Sequence, residues 1–89
     1  MEIIYTPRAV EELKYWKKSG NKAIQSKIQK LLDAIQDNPY EGTGKPEPLK
    51  HELSGAWSRR ITEEHRLVYE VNEKNEIIVL NVFSLKGHY

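Results

Sequence analysis

The stretch KPEPLKH sets Glu47 between Pro46 and Pro48, with Lys45, Lys50 and His51 close by. Proline on each side restricts the backbone and so limits where the carboxylate can go. Further along, Arg59 and Arg60 are consecutive, Arg66 follows a short acidic turn, and the chain finishes on His88 and Tyr89. A carboxylate, several cations and a histidine are the groups required to cleave RNA through its own 2′-hydroxyl. One group takes the 2′-OH proton, a cation holds the charge of the phosphorane, and an acid protonates the departing 5′-oxygen. Histidine suits the acid role because its ordinary pKa, ~6.5, lets a small shift keep it protonated near neutral pH. A planar guanidinium is in turn what phosphate recognition needs.

Plainer readings stand beside these. Glu47 reads equally as a solvated loop carboxylate. An arginine on a sheet face commonly pairs with a neighbouring acid, here Glu64 or Glu70. The terminal His88 and Tyr89 read as the polar exit of a last strand. His51 and His65 are assigned no catalytic role. With no cysteine, three histidines and no HExxH spacing, the sequence offers no thiolate nucleophile and argues against a metal site. No cofactor is expected.

The elements that must carry these residues follow from spacing. EIIY, from Glu2 to Tyr5, reads as a short strand. Thr6 followed by Pro7 reads as a helix start, the hydroxyl capping and the proline at the first helical position. Ala9, Leu13 and Trp16 then share one face, Glu11 and Glu12 precede Lys14, Lys17 and Lys18 as the helix dipole favours, and Gly20 supplies the stop. Ile24, Ile28, Leu31, Leu32 and Ile35 trace a second amphipathic helix that ends before Pro39. So tight a connection predicts antiparallel helices, with lysines solvating their outer faces.

Residues 38 to 48, NPYEGTGKPEP, form a loop of restricted backbone. Beyond it the expected strands are LKHEL, AWSRRIT, HRLVYEV and EIIVLNVFS. Alternation puts Leu67, Tyr69 and Val71 on one side and Arg66, Val68 and Glu70 on the other. It likewise groups Ile61 with Trp57 and Arg59, leaving Ser58, Arg60 and Thr62 opposite. The last strand is apolar on both sides, as a central strand would be. The predicted fold class is α+β: a short N-terminal strand, then an antiparallel two-helix hairpin packed on one face of an antiparallel sheet. Arg60 and Arg66 are candidates to line a groove on the other face.

Eighty-nine residues, 38% hydrophobic and 30% charged, suit one domain over residues 1–89. The longest apolar run, Ile77 to Leu80, cannot span a bilayer, and MEIIYTP lacks the pattern of a secretory signal, so a cytoplasmic protein with no membrane partner is expected. A net charge of +1 argues against gripping nucleic acid by bulk electrostatics alone.

The stretch EGTGKPEPLKHELSGAWSRRITEEHRLVYEV, from residue 41 to 71, followed by the terminal KGHY, closely resembles the Txe/YoeB family of RelE-like bacterial toxins; the helical half agrees in pattern and in Tyr15 and Trp16. The resemblance implies a RelE-like fold and the toxin of a toxin-antitoxin pair. Its implied activity is that of a ribosome-dependent endoribonuclease (an mRNA interferase), which cuts messenger RNA in the decoding site, needs no metal and stops translation. It also implies silencing by a cognate antitoxin of the YefM/Axe kind on a separate chain, and leaves open whether the working form is a monomer or a homodimer. Carried over by position, Glu47 is the general base, Arg66 stabilises the transition state and His88 is the general acid. Tyr89 helps to place the scissile nucleotide, and Lys50 and Arg60 serve phosphate binding and charge stabilisation. Two other functions remain open on the residues alone: a toxin of this general fold that poisons DNA gyrase, and a non-catalytic RNA-binding module.

One departure from the family pattern is expected at the end. The ending NVFSLKGHY reads as a few residues longer than the family's shorter, often cysteine-containing close. An odd change in a hairpin needs a bulge.

Overall fold

The computed structural model describes residues 1–83, the side chain of Glu52 excepted. The elements run β1 (Ile3–Tyr5), α1 (Pro7–Ser19), α2 (Lys22–Asp37), β2 (Glu47–Pro48), a 3₁₀ turn (His51–Leu53), β3 (Trp57–Arg60), β4 (Arg66–Val71) and β5 (Ile77–Asn81). No helix among them is long and apolar enough to cross a membrane.

Local chemistry starts and stops α1 as expected, and a further cap starts α2. Thr6 is extended, with its Oγ1 accepting from the Ala9 N–H at 3.1 Å, and Pro7 follows at the first helical position. The same hydroxyl donates to the Leu80 carbonyl at 2.9 Å, so one residue caps α1 and ties it to β5. Gly20 ends α1 in the left-handed region at φ 73°, and Asn21 caps α2 by accepting from the Ile24 N–H at 3.1 Å.

The five strands form one sheet in the order β1-β5-β4-β3-β2. β2 to β5 are antiparallel as expected, and β5 is an interior strand, between β1 and β4. β1, however, pairs with β5 in parallel, Ile3 opposite Ile77 and Tyr5 opposite Val79, so the sheet is mixed. The connection between them runs through the helical hairpin and β2 to β4, far longer than a parallel pair needs, and strand alternation carries no signal for direction.

A second correction concerns LKHEL. The strand comes earlier, at Glu47–Pro48, and the chain turns at Lys50 into the 3₁₀ turn, with His51 at φ 59°. Only Leu49 continues the ladder, its N–H donating to the Ala56 carbonyl at 2.9 Å. Reversing direction before β3 requires this turn, and Pro48, which has no N–H to give, is tolerated because β2 is an edge.

Ala9, Trp16, Ile28, Leu31, Leu32 and Ile35 pack against Leu67, Tyr69, Ile77, Val79 and Val82 to make the main core between the helices and one face of the sheet. The other face is not wholly open. Ala56 and Val68 form a small second cluster there, with Leu49 and Leu80 against them.

A bulge lies where β4 meets β5. Tyr69 pairs with Val79 and Val68 with Asn81, so Leu80 and Asn81 together face one residue. Beyond it, both polar groups of Val82 are captured by α1. The N–H donates to Glu12 Oε1 at 2.8 Å and the carbonyl accepts from Trp16 Nε1 at 2.8 Å.

Candidate functional site

Register brings three of the expected site residues to one face. Glu47 pairs with Ser58 and Ser58 with Val68; one step along the same strands, Arg60 pairs with Arg66. Directly paired residues point the same way, and so do residues two apart on a strand. Glu47, Arg60 and Arg66 therefore share the face turned away from the helices, around the cluster of Ala56 and Val68. With strands ~4.8 Å apart, Glu47 and Arg66 are separated by about 12 Å at Cα. Side chains of their length can close on a group held between them.

The arginines do not meet the expected carboxylates. Ion pairs among the described residues are limited to Arg8 with Glu12 and Lys14 with Glu11. Arg66 instead donates from Nη1 to the carbonyls of Thr62 (2.8 Å), Glu63 (3.2 Å) and His65 (3.3 Å), which leans its guanidinium on the turn before β4. Arg60 is half-buried, and its backbone N–H donates to the Gly44 carbonyl at 2.7 Å. Two like charges directly opposite on paired strands are destabilising in themselves. A shared anionic ligand is the natural counterpart of such a pair.

Glu47 and Lys50 are exposed, and with Pro48, Leu49 and His51 they line a shallow hollow. A second hollow is lined by Lys27, Gly44, Lys45, Arg60 and Ile61. Neither Lys27 nor Lys45 is among the site residues expected from the sequence; they come from α2 and from the loop, and only the fold makes them neighbours. His51 is exposed, as read. His65 packs edge-on against Trp16 and at a tilt against Phe83, with ring centroids 4.9 Å from each. Its Nδ1 is buried with no hydrogen-bond partner among the described residues. The same residues hold no group of three or more side chains suited to a metal ion. His88 and Tyr89, the expected acid and positioning residues, lie outside the described residues.

Arg59 has a different part from its neighbour. Its side chain points to the helix side and is fully buried. Nε donates to the Tyr69 hydroxyl at 3.1 Å, Nη1 to the Thr43 carbonyl at 3.1 Å, and Nη2 to the carbonyls of Asn38 at 2.5 Å and Glu41 at 2.8 Å. The Tyr69 hydroxyl donates its own proton to the Pro39 carbonyl at 2.5 Å. Burial raises the Tyr69 pKa above its ordinary value, while the hydrogen bond and charge of Arg59 pull it partly back. Around this pair the loop passes so closely that a Cβ on Gly44, at φ 91°, would lie 2.6 Å from Leu31 Cδ2 and 3.2 Å from Arg59 Cβ.

Three comparisons bear on what this arrangement belongs to. Residues 5–89 match the family model of the YoeB-like toxin of bacterial type II toxin-antitoxin systems. The toxin YoeB of Escherichia coli strain K12 is 49% identical over 89 residues, covering 100% of both chains. Two solved structures from Staphylococcus aureus are similar in fold. A YoeB-YefM complex matches with a TM-score of 0.84 and 44% identity, over 93% of this chain and 94% of that one. A YoeB dimer matches with a TM-score of 0.83 and 43% identity over the same shares. With the family model covering all but the first four residues and the fold agreeing at this level of identity, the chain belongs to the YoeB-like toxins of bacterial type II toxin-antitoxin systems.

Proposed function

We propose that this toxin is an endoribonuclease that cuts messenger RNA in the decoding site of the ribosome and so stops translation. Glu47 takes the proton of the 2′-hydroxyl; the 2′-oxygen attacks phosphorus, and the bond to the 5′-oxygen breaks. Arg66, with Arg60 and Lys50, holds the charge that builds on the phosphorane, and His88 protonates the departing 5′-oxygen. Tyr89 stacks against the nucleotide that is cut. The chemistry needs no metal, and residues 1–89 act as one domain.

What supports this reading above all is the shared sheet face on which Glu47 and the Arg60–Arg66 pair meet without a described carboxylate partner. A near-neutral protein relies on the ribosome to position the messenger, which lowers the barrier without a strong grip of its own. By analogy with the Staphylococcus aureus proteins, a YefM-like antitoxin binds this chain, and two copies form a dimer. The antitoxin silences it by covering the face of Glu47 and Arg66.

The test is cleavage of messenger RNA on programmed ribosomes by the natural chain, Glu47→Ala and His88→Ala. Single cuts in the decoding site are expected, slowed at least about a hundredfold in each variant. Ribosome binding without any cut, or DNA damage in cells whose translation continues, would replace the nuclease reading with that of a binder or a gyrase poison.

A further inference from the structure

Arg59 is fully buried, and neither ion pair among the described residues involves it. A buried guanidinium with no counter-ion is costly, and an apolar side chain would fill the same space at less desolvation. Its use here is therefore not explained by packing. All three carbonyls it holds, at residues 38, 41 and 43, belong to one loop, and Tyr69 holds a fourth, at Pro39. Immediately afterwards Gly44 is bonded to Arg60, and Glu47 pairs with Ser58. From Asn38 to Glu47 the loop is thus fastened to residues 58, 59 and 60 of β3 and to Tyr69 of β4.

We propose that Arg59, seated on the Tyr69 hydroxyl, is the positioning residue for Glu47: it winds the loop of residues 38–45 around its guanidinium and so sets where the Glu47 carboxylate stands relative to Arg60 and Arg66. It touches no substrate. The proposal rests on the reading of Glu47 as the proton acceptor. Lysine cannot replace Arg59, because one ammonium cannot hold carbonyls at three points of a fork while also meeting the tyrosine.

The experiment is single-turnover cleavage on ribosomes by the natural chain, Arg59→Lys, Tyr69→Phe, Glu47→Ala and the double variant Arg59→Lys/Glu47→Ala, with hydrogen exchange of each free protein. Arg59→Lys is expected to lose about 10- to 100-fold in rate at saturating ribosomes, with the half-saturating concentration unchanged, since a displacement of an ångström suffices for that loss. Tyr69→Phe loses several-fold. Amides of residues 41–47 exchange faster in both variants while those of α1 and α2 keep their protection. On the Glu47→Ala background, Arg59→Lys causes no further loss, because its effect passes through that carboxylate.

Full-rate cleavage by the folded Arg59 and Tyr69 variants, with Glu47→Ala slow, overturns the positioning role and leaves Glu47 in place. An Arg59 effect that multiplies that of Glu47→Ala does the same. Cleavage by Glu47→Ala at the natural rate instead overturns the role of Glu47, and the proposal with it. Should Arg59→Lys not fold, Tyr69→Phe, which loses only a hydroxyl, carries the same comparison.

Discussion

Two adjacent arginines of the same strand are put to opposite uses. Arg60 faces the open side beside Arg66, whereas Arg59 is sealed among carbonyls on the helix side. Period-two alternation foretold the separation but not the use of the buried one, because nothing local says that a loop starting about twenty residues earlier will be wound over it. Arg66 keeps one nitrogen on the turn carbonyls. Lysine at position 66 would retain charge without the planar fork, so Arg66→Lys is expected to slow cleavage by about tenfold or more. Its stability should change by only about 1 kcal/mol, the scale of the turn hydrogen bonds it alters. Single-turnover rates and thermal unfolding, measured side by side, check both parts; an unchanged rate would remove Arg66 from the mechanism.

Among elements, the loop before β2 is the one whose shape matters most for the site. Gly44 and Gly20 both sit at positive φ, but a Cβ on Gly20 would meet nothing within 4 Å, while one on Gly44 would drive into Leu31 and Arg59. Gly20→Ala should therefore cost about 1 kcal/mol, from the backbone conformation alone. Gly44→Ala should cost about 2–4 kcal/mol, because overpacking is added to it. Urea denaturation of the pair reads the difference directly; equal costs would mean that the loop can retreat from the core. The misreading of LKHEL belongs to this scale as well. Leu49 and Leu53 have strand-like spacing, but the reversal needed before β3 overrides it, and a 3₁₀ turn results. The bulge opposite Val68 and the capture of Val82 by Glu12 and Trp16 likewise depend on distant segments, the latter joining residues about seventy and sixty-six positions apart, beyond the reach of any local pattern.

Across the whole molecule, the two faces of the sheet divide the work. The helices cover one, and their exposed sides carry Lys14, Lys17, Lys18, Lys22 and Lys30; the other carries Glu47, Arg60 and Arg66. On the ribosome-dependent reading proposed above, and with a net charge of only +1, the helical lysines are the groups expected to dock to ribosomal RNA. Reversing Lys14, Lys18 and Lys22 to glutamate is expected to weaken ribosome binding about tenfold or more and to lower the salt dependence by roughly one unit of log–log slope for each phosphate no longer neutralised. The rate once bound should stay as it was. Affinity unchanged at low salt would assign those lysines to solubility alone.

Residue types and the family resemblance named the candidate residues. The amino-acid sequence by itself determined the helices, the cap and stop of α1, the buried stripes, the loop between the helices and the sheet, and the alternation of β3 and β4. These are matters of short-range periodicity and of what Thr, Pro, Gly and Asn do to the backbone next to them. Only the tertiary structure decided that β1 runs parallel to β5, that Glu47 lies one rank from the Arg60–Arg66 pair, and that Arg59 holds the loop. Each depends on which distant segments share a hydrogen-bond ladder or a buried carbonyl. Such choices come from burying apolar surface and satisfying polar groups across the whole chain at once, so no stretch of it carries them alone.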